Sequence, residues 1–213
     1  MLLSVNGEQN KKTDENICGI ITHILCIKDL LTNITTAAKD IRKTAIELEQ
    51  KIFQQDQTKL RLLTNIQDKR AILRSTFPTS DYHLQLLTMN NIDKEDFIHL
   101  IKEQYFAIGY LYNSLQNLRY IQSTLGKQFD NLFNQTQTIL QKDILCNYMN
   151  ILRVYSENWS TIDQINGIDI TETQMHELSS LEYNSYLIII VQLISKWMRC
   201  IKDVIDTLEY KLI

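Results

Sequence analysis

The sequence predicts an all-α protein whose long coiled-coil helices form an elongated helical bundle, and three observations carry that prediction. The first is an apolar register in steps of three and four: Ile17, Ile20, Ile24, Ile27, Leu31, Ile34, Ala38, Ile41, Ala45, Leu48 and Ile52. A helix that keeps a 3.5-residue repeat this long goes on facing a partner only if the two supercoil left-handedly. The second is the scarcity of chain breakers: one Pro and five Gly in 213 residues, where average usage gives about 11 and 15. The third is that the same spacing returns twice further along the chain.

Residues 1–13 are polar after Leu2 and Leu3, and they are expected to be a disordered N-terminus. A first coiled-coil helix is expected over 14–76. Its seam runs past two polar positions, Gln55 and Lys59, to Leu62, Ile66, the polar Lys69, and Leu73. Unbroken, such a helix would be about 90 Å long, so it is either extended or bent, and a bend belongs near residues 54–58, where the seam loses its apolar side chains.

Pro78, the only proline, and Thr79, Ser80 and Asp81 make 77–93 a linker. A second helical region is expected over 94–165. Asp93 is placed to cap its start, with Glu95 and Asp96 facing the positive end of the helix dipole. Its seam comprises Phe97, Ile101, Ile108, Leu111, Leu115, Leu118, Leu125, Phe129, Leu132 and Ile139. Near Gln141 the register shifts to a new stripe of Leu145, Tyr148, Leu152, Tyr155, Trp159 and Ile162.

Asn166 and Gly167 begin a turn over 166–171, and Thr171 with Gln174 resembles a capping box opening a C-terminal amphipathic helix over 172–212. Leu187, Ile190, Ile194, Trp197, Ile201, Val204 and Leu208 are its seam. Ile188, Ile189 and Val191 widen the apolar face, which calls for burial against more than one helix.

Candidate chemistry is sparse. His23, His83, His99 and His176 are scattered, with no His-Glu-x-x-His pair. Asp96 and His99 have the i, i+3 spacing of a di-iron bundle ligand pair, but a second such pair is missing. Glycine-rich phosphate loops and a Gly-x-Ser-x-Gly elbow are absent. Cys18 and Cys26 on one helix would sit about 12 Å apart, too far for a shared metal or disulfide. All four cysteines, with Cys146 and Cys200, are expected to be reduced. The sequons at Asn33, Asn134 and Asn158 are of the kind that arise by chance in an Asn- and Thr-rich chain. No catalytic residue, cofactor or metal is assigned, and an enzyme is not expected.

Nothing in residues 1–15 reads as a secretory signal. The longest apolar run, Tyr186 to Val191, is far short of the roughly 20 residues that span a bilayer, so the expected location is cytoplasmic. A net charge of −3 gives no general attraction to nucleic acid. Lys59, Arg61, Lys69, Arg70 and Arg74 nevertheless make a local basic patch, read either as a solvated face or as a docking surface. Tyr105, Phe106, Tyr110 and Tyr112 form an aromatic cluster read first as core.

The order of a long amphipathic helix, the basic stretch Asp68-Lys69-Arg70 with Leu73-Arg74, a break at Pro78, Asn91-Ile92 before a second long helix, and a Leu-rich coil through Trp159 resembles the second-subunit family of the augmin complex. The resemblance covers roughly Ile20 to Trp159. It implies a non-enzymatic subunit that helps bring γ-tubulin complexes to spindle microtubules, and a place at the cytoskeleton or spindle.

The expected function is therefore that of a scaffold or assembly subunit in a hetero-oligomer with other coiled-coil chains, without a small-molecule substrate. The partner-interface candidates are Ile20, Ile24, Ile27, Leu31, Ile34, Ile41, Leu48, Ile52, Leu187, Ile194, Trp197 and Ile201, because the first seam outruns what a shorter third helix could cover. The competing expectation is a self-contained helical bundle, an adaptor or pathogen effector, whose first helix folds back near Gln55.

Overall fold

Apolar steps of three and four and few breakers build helices over most of the described residues. The computed structural model describes residues 26–55, 59–125, 130–156, 165–170 and 179–211. Helix α1 spans Ile27–Gln55, α2 Lys59–Leu73, α3 Asp81–Thr88, α4 Lys94–Leu125, α5 Asp130–Ile139, α6 Cys146–Tyr155 and α7 Ser180–Lys211. A π-helical turn, Leu140–Leu145, joins α5 to α6, and a 3₁₀ turn, Arg74–Thr76, ends α2. There are no strands among the described residues.

The long elements close on one another. α1 packs on α7, α7 on α4, α4 on α5 and α6, and these in turn on α1. Four layers of similar length thus form a compact four-helix arrangement. α2 adds to the outside of α7, and α3 lies against α4 and α7. Glu49 meets Gln192 while Arg42 lies close enough to Lys202 to affect its charge, so α1 runs antiparallel to α7.

This closure decides the fate of the first seam. Leu31, Ile34, Ile41, Leu48 and Ile52 are buried, and so are Leu187, Ile194, Trp197 and Ile201, so the two sets cover each other inside one chain. Ile27 is half-buried, and Ile20 and Ile24 lie outside the described residues. The expectation set a first helix over 14–76 against a shorter third one; over the described residues the two facing helices are of similar length. α1 has 29 residues and α7 has 32, or about 43 and 48 Å. Over the described residues, the interface that the α1 seam calls for lies within the chain.

The polar gap marks a real change of direction. Gln192 donates to Glu49 at 2.5 Å and accepts from Arg70. On one straight helix Glu49 and Arg70 would be about 31 Å apart along the axis, beyond the combined reach of the three side chains. α1 and α2 are therefore two helices set at an angle, which the sequence allowed as the bent alternative.

The cap at Asp93 is formed as expected. Asp93 Oδ1 accepts from the Asp96 backbone N–H at 2.8 Å and Asp96 Oδ2 from that of Asp93 at 3.3 Å, a reciprocal box. The linker over 77–93 is not simply a linker, because α3 forms inside it. The register shift read near Gln141 falls in the π-helical turn, where one extra residue per turn rotates every later side chain about the axis. That rotation brings Tyr148 and Leu152 into the core.

The third helix starts at Ser180, and its box is Ser179 with Glu182: Ser179 Oγ accepts from the Glu182 N–H at 3.3 Å and Glu182 Oε2 from that of Ser179 at 3.3 Å. Thr171 and Gln174 lie outside the described residues. Tyr186 to Val191 are buried on all sides because α7 is surrounded by α1, α2, α3 and α4, which answers the widened face.

The segment 165–170, expected as a turn, is a strap laid along α4. Asn113 Nδ2 donates to the Ile165 carbonyl at 2.5 Å, Asn117 Nδ2 to that of Ile168 at 3.0 Å, and the Ile168 N–H donates to Ser114 Oγ at 2.8 Å. A β-carbon on Gly167 would lie 2.4 Å from the Ser114 nitrogen, so only glycine lets the strap approach this closely.

Cys146 is disulfide-bonded, whereas Cys26 and Cys200 carry free thiols. The expectation of reduced cysteines is corrected at Cys146. Spacing within one helix, which excluded a pair between Cys18 and Cys26, cannot see pairs formed between distant parts of the chain.

Candidate interaction face

α2 carries apolar side chains on both faces, including the two most exposed large apolar side chains among the described residues. Leu62, Ile66 and Leu73 turn inward and are buried. At about 100° per residue, Leu60 and Ile72 straddle the opposite side, where they are 80% and 74% exposed, with Leu63 half-exposed on the flank. Between α2 and the start of α7 runs an open groove of about 520 Å³, lined by Leu60, Arg61, Asp68, Ile72 and Leu181 among others. Off-seam leucines and isoleucines were the available sequence signal for this face. The search for a 3,4 register passes over them.

The five basic residues do not form one patch. Lys69 is drawn inward: its Nζ is 3.4 Å from Glu182 Oε1 and 4.9 Å from the centre of the Tyr186 ring. Burial would lower its pKa, but the interactions with Tyr186 and Glu182 outweigh that and raise it. Arg70 binds Gln192. Arg61 lines the groove, while Lys59 and Arg74 are exposed on the flank beside Leu63. These three cations meet no carboxylate within salt-bridge distance among the described residues.

The other polar cluster is sealed. His83, 2% exposed, stands edge-on to Trp197 with ring centres 5.2 Å apart. Its Nδ1 is 2.6 Å from Glu103 Oε2 and its Nε2 2.8 Å from Gln104 Nε2. With Gln104 donating, Nε2 accepts and the proton sits on Nδ1, facing Glu103. Glu103 also accepts from the backbone N–H groups of Tyr82, at 2.9 Å, and His83, at 3.0 Å. Burial pushes the Glu103 carboxyl up, but these donors prevail and hold it below the ordinary value.

Tyr82 donates to Asp96 at 2.7 Å, and burial together with that bond pushes its phenol up to about 12. These groups fasten α3 to α4. The Asp96 and His99 pair is engaged differently from a metal site, since Asp96 serves Tyr82 and the His99 ring lies 5.7 Å from the Tyr82 ring. Among the described residues no group of three His, Cys, Asp or Glu is placed to hold a metal. Of the aromatic cluster, Tyr110 is buried, Tyr105 and Tyr112 are half-buried and Phe106 is exposed. No described helix is long and apolar enough to cross a membrane.

No family model, no curated protein and no solved structure matches this chain.

Proposed function

We propose that the chain is a non-enzymatic assembly subunit of an intracellular multiprotein complex, a helical bundle that holds other chains through the outer face of α2. The observation behind this reading is that α2 exposes Leu60 and Ile72 while its inner face is already packed. Large apolar side chains exposed together beside a groove are a common mark of a protein interface. Because α1 and α7 satisfy each other, partners add to a finished bundle rather than completing an open coil.

The resemblance to the augmin second-subunit family supports placing that complex at the cytoskeleton, on microtubules or the spindle. Affinity purification from the native cell tests the proposal. Stoichiometric recovery of other helical subunits supports it, and recovery of the chain alone overturns it.

The closed core favours a second reading, a self-contained adaptor or pathogen effector that binds one partner at a time. The same purification separates the two, since an adaptor returns a single partner chain rather than a fixed set.

A further inference from the structure

We propose that Gln104 is a two-way latch for the charge of His83: its amide nitrogen donates to the neutral imidazole, and its amide oxygen, turned into the same place, accepts from the charged one. α3 thereby stays docked on α4 and α7 whether or not His83 carries the extra proton. The proposal concerns the joint at α3 and is independent of what the α2 face binds.

Three observations carry it. His83 and Gln104 are 2% and 0% exposed, so water does not replace a hydrogen bond that either one loses. His83 Nε2 and Gln104 Nε2 are 2.8 Å apart, a contact that holds only while the ring nitrogen is bare, because two donors facing each other repel. The Gln104 oxygen, meanwhile, is buried with no hydrogen-bond partner. Half a turn about the last side-chain bond exchanges the amide oxygen and nitrogen, which are alike in size. One amide atom is unpartnered in either setting, the oxygen in the first and the nitrogen in the second. The amide itself therefore gains little from either, and it follows the proton.

The surroundings leave the choice to His83. From α4, Glu103 faces the ring with Oε2 2.6 Å from Nδ1. Against burial, which would raise it, the His83 ring and the backbone N–H groups of Tyr82 and His83 hold the Glu103 carboxyl below its ordinary value. It is thus a carboxylate across the range in which an imidazole titrates, and Nδ1–H donates to it in both forms of the ring. From α7 the ring meets Trp197 edge-on, while Lys196 and Arg199 are exposed. On α3 itself Tyr82 turns to Asp96 and the His99 ring, and Asp81 is exposed. The nitrogen that takes the proton from water is Nε2, and the group that meets it is Gln104.

Nitrogen NMR of the full chain reads that proton, with His83 assigned through His23→Gln, His99→Gln and His176→Gln in turn. Between about pH 8 and 5.5, where an imidazole changes charge, Nε2 is expected to go from bare to protonated. The side-chain amide signals of Gln104 are expected to move with the same midpoint. Hydrogen exchange at Leu86, corrected for the intrinsic effect of pH, should stay slow throughout. In Gln104→Leu the protonated Nε2 has no acceptor, and exchange at Leu86 is expected to quicken about tenfold at the acid end. In Gln104→Glu, an acceptor only, the ring should keep its second proton to about one pH unit higher than in wild type, a tenfold gain in proton affinity.

A wild-type Nε2 that keeps one state across this range while the chain stays folded overturns the proposal, and so does a Gln104 amide that ignores the change. Release of α3 from the wild-type chain on acidification overturns it as well, as does a Gln104→Leu chain that holds α3 as firmly as wild type. Should both Gln104 variants fail to fold, the wild-type titration decides alone.

Discussion

Glu103 accepts three hydrogen bonds, from His83 Nδ1 and from the backbone N–H groups of Tyr82 and His83. Removing a shared acceptor leaves buried donors unpaired, at about 1 to 3 kcal/mol each before relaxation. Glu103→Ala is expected to lower stability by about 2 to 4 kcal/mol, read from the denaturant midpoint. Because the folded carboxyl lies below its ordinary value of 4.5, its contribution is fully present above that value and is lost as pH falls through the folded one. The wild-type midpoint should therefore fall more steeply than that of Glu103→Gln between about pH 6 and pH 3.

Gly167→Ala is expected to lift the strap, at about 1 to 3 kcal/mol, because its β-carbon would strike backbone at 2.4 Å. Gly109→Ala meets only the tip of the Ile165 side chain, so it should cost less. Hydrogen exchange at Ile168 reads both. At this scale the Asp93 cap was legible because its signal is local. His83 and Glu103, twenty positions apart, meet only through tertiary folding, so their pairing was not. Ser179 with Glu182 carries the same four-residue capping signature as Thr171 with Gln174, which lies outside the described residues.

At the scale of elements, the angle between α1 and α2 makes a distance prediction. Glu49→Cys with Arg70→Cys should be bridged by a bifunctional thiol reagent of about 15 Å, whereas collinear helices would hold the two about 31 Å apart. Cys26 and Cys200, which are free, are replaced by serine in that experiment. Failure to cross-link would contradict the shared contact at Gln192. The bend was foreshadowed by Gln55 and Lys59, where the seam turns polar. α3 was missed because an eight-residue helix offers barely two turns of periodicity and follows Pro78 and a polar run. The π-helical turn left a trace in sequence as a phase change, because the apolar stripe must restart wherever the backbone gains a residue.

For the whole molecule, helix content followed from the register and the lack of breakers, but closure did not. A seam states that a partner helix exists without stating whose it is, and over the described residues it is the packing of α1 on α7 that assigns it to the same chain. A compact chain of 213 residues has a radius of gyration of about 17 Å. Small-angle scattering is expected to give about 17 to 20 Å, whereas an unbroken 90 Å rod alone would give about 26 Å. Trp197, buried to 1% beside His83, holds α7 to α3, and Trp197→Ala is expected to cost about 3 to 5 kcal/mol, seen as loss of the cooperative thermal transition near physiological temperature.

Gln192 works as a vernier. Its amide offers one donor to Glu49 and one acceptor to Arg70, so three helices are indexed to a single rung. Sliding any of them by one turn would bring a donor against a donor or leave a charge unanswered. Glutamate at this rung would oppose Glu49 and lysine would oppose Arg70, so neutrality here fixes the stagger of α1, α2 and α7 while the apolar seams, which repeat every turn, would accept several.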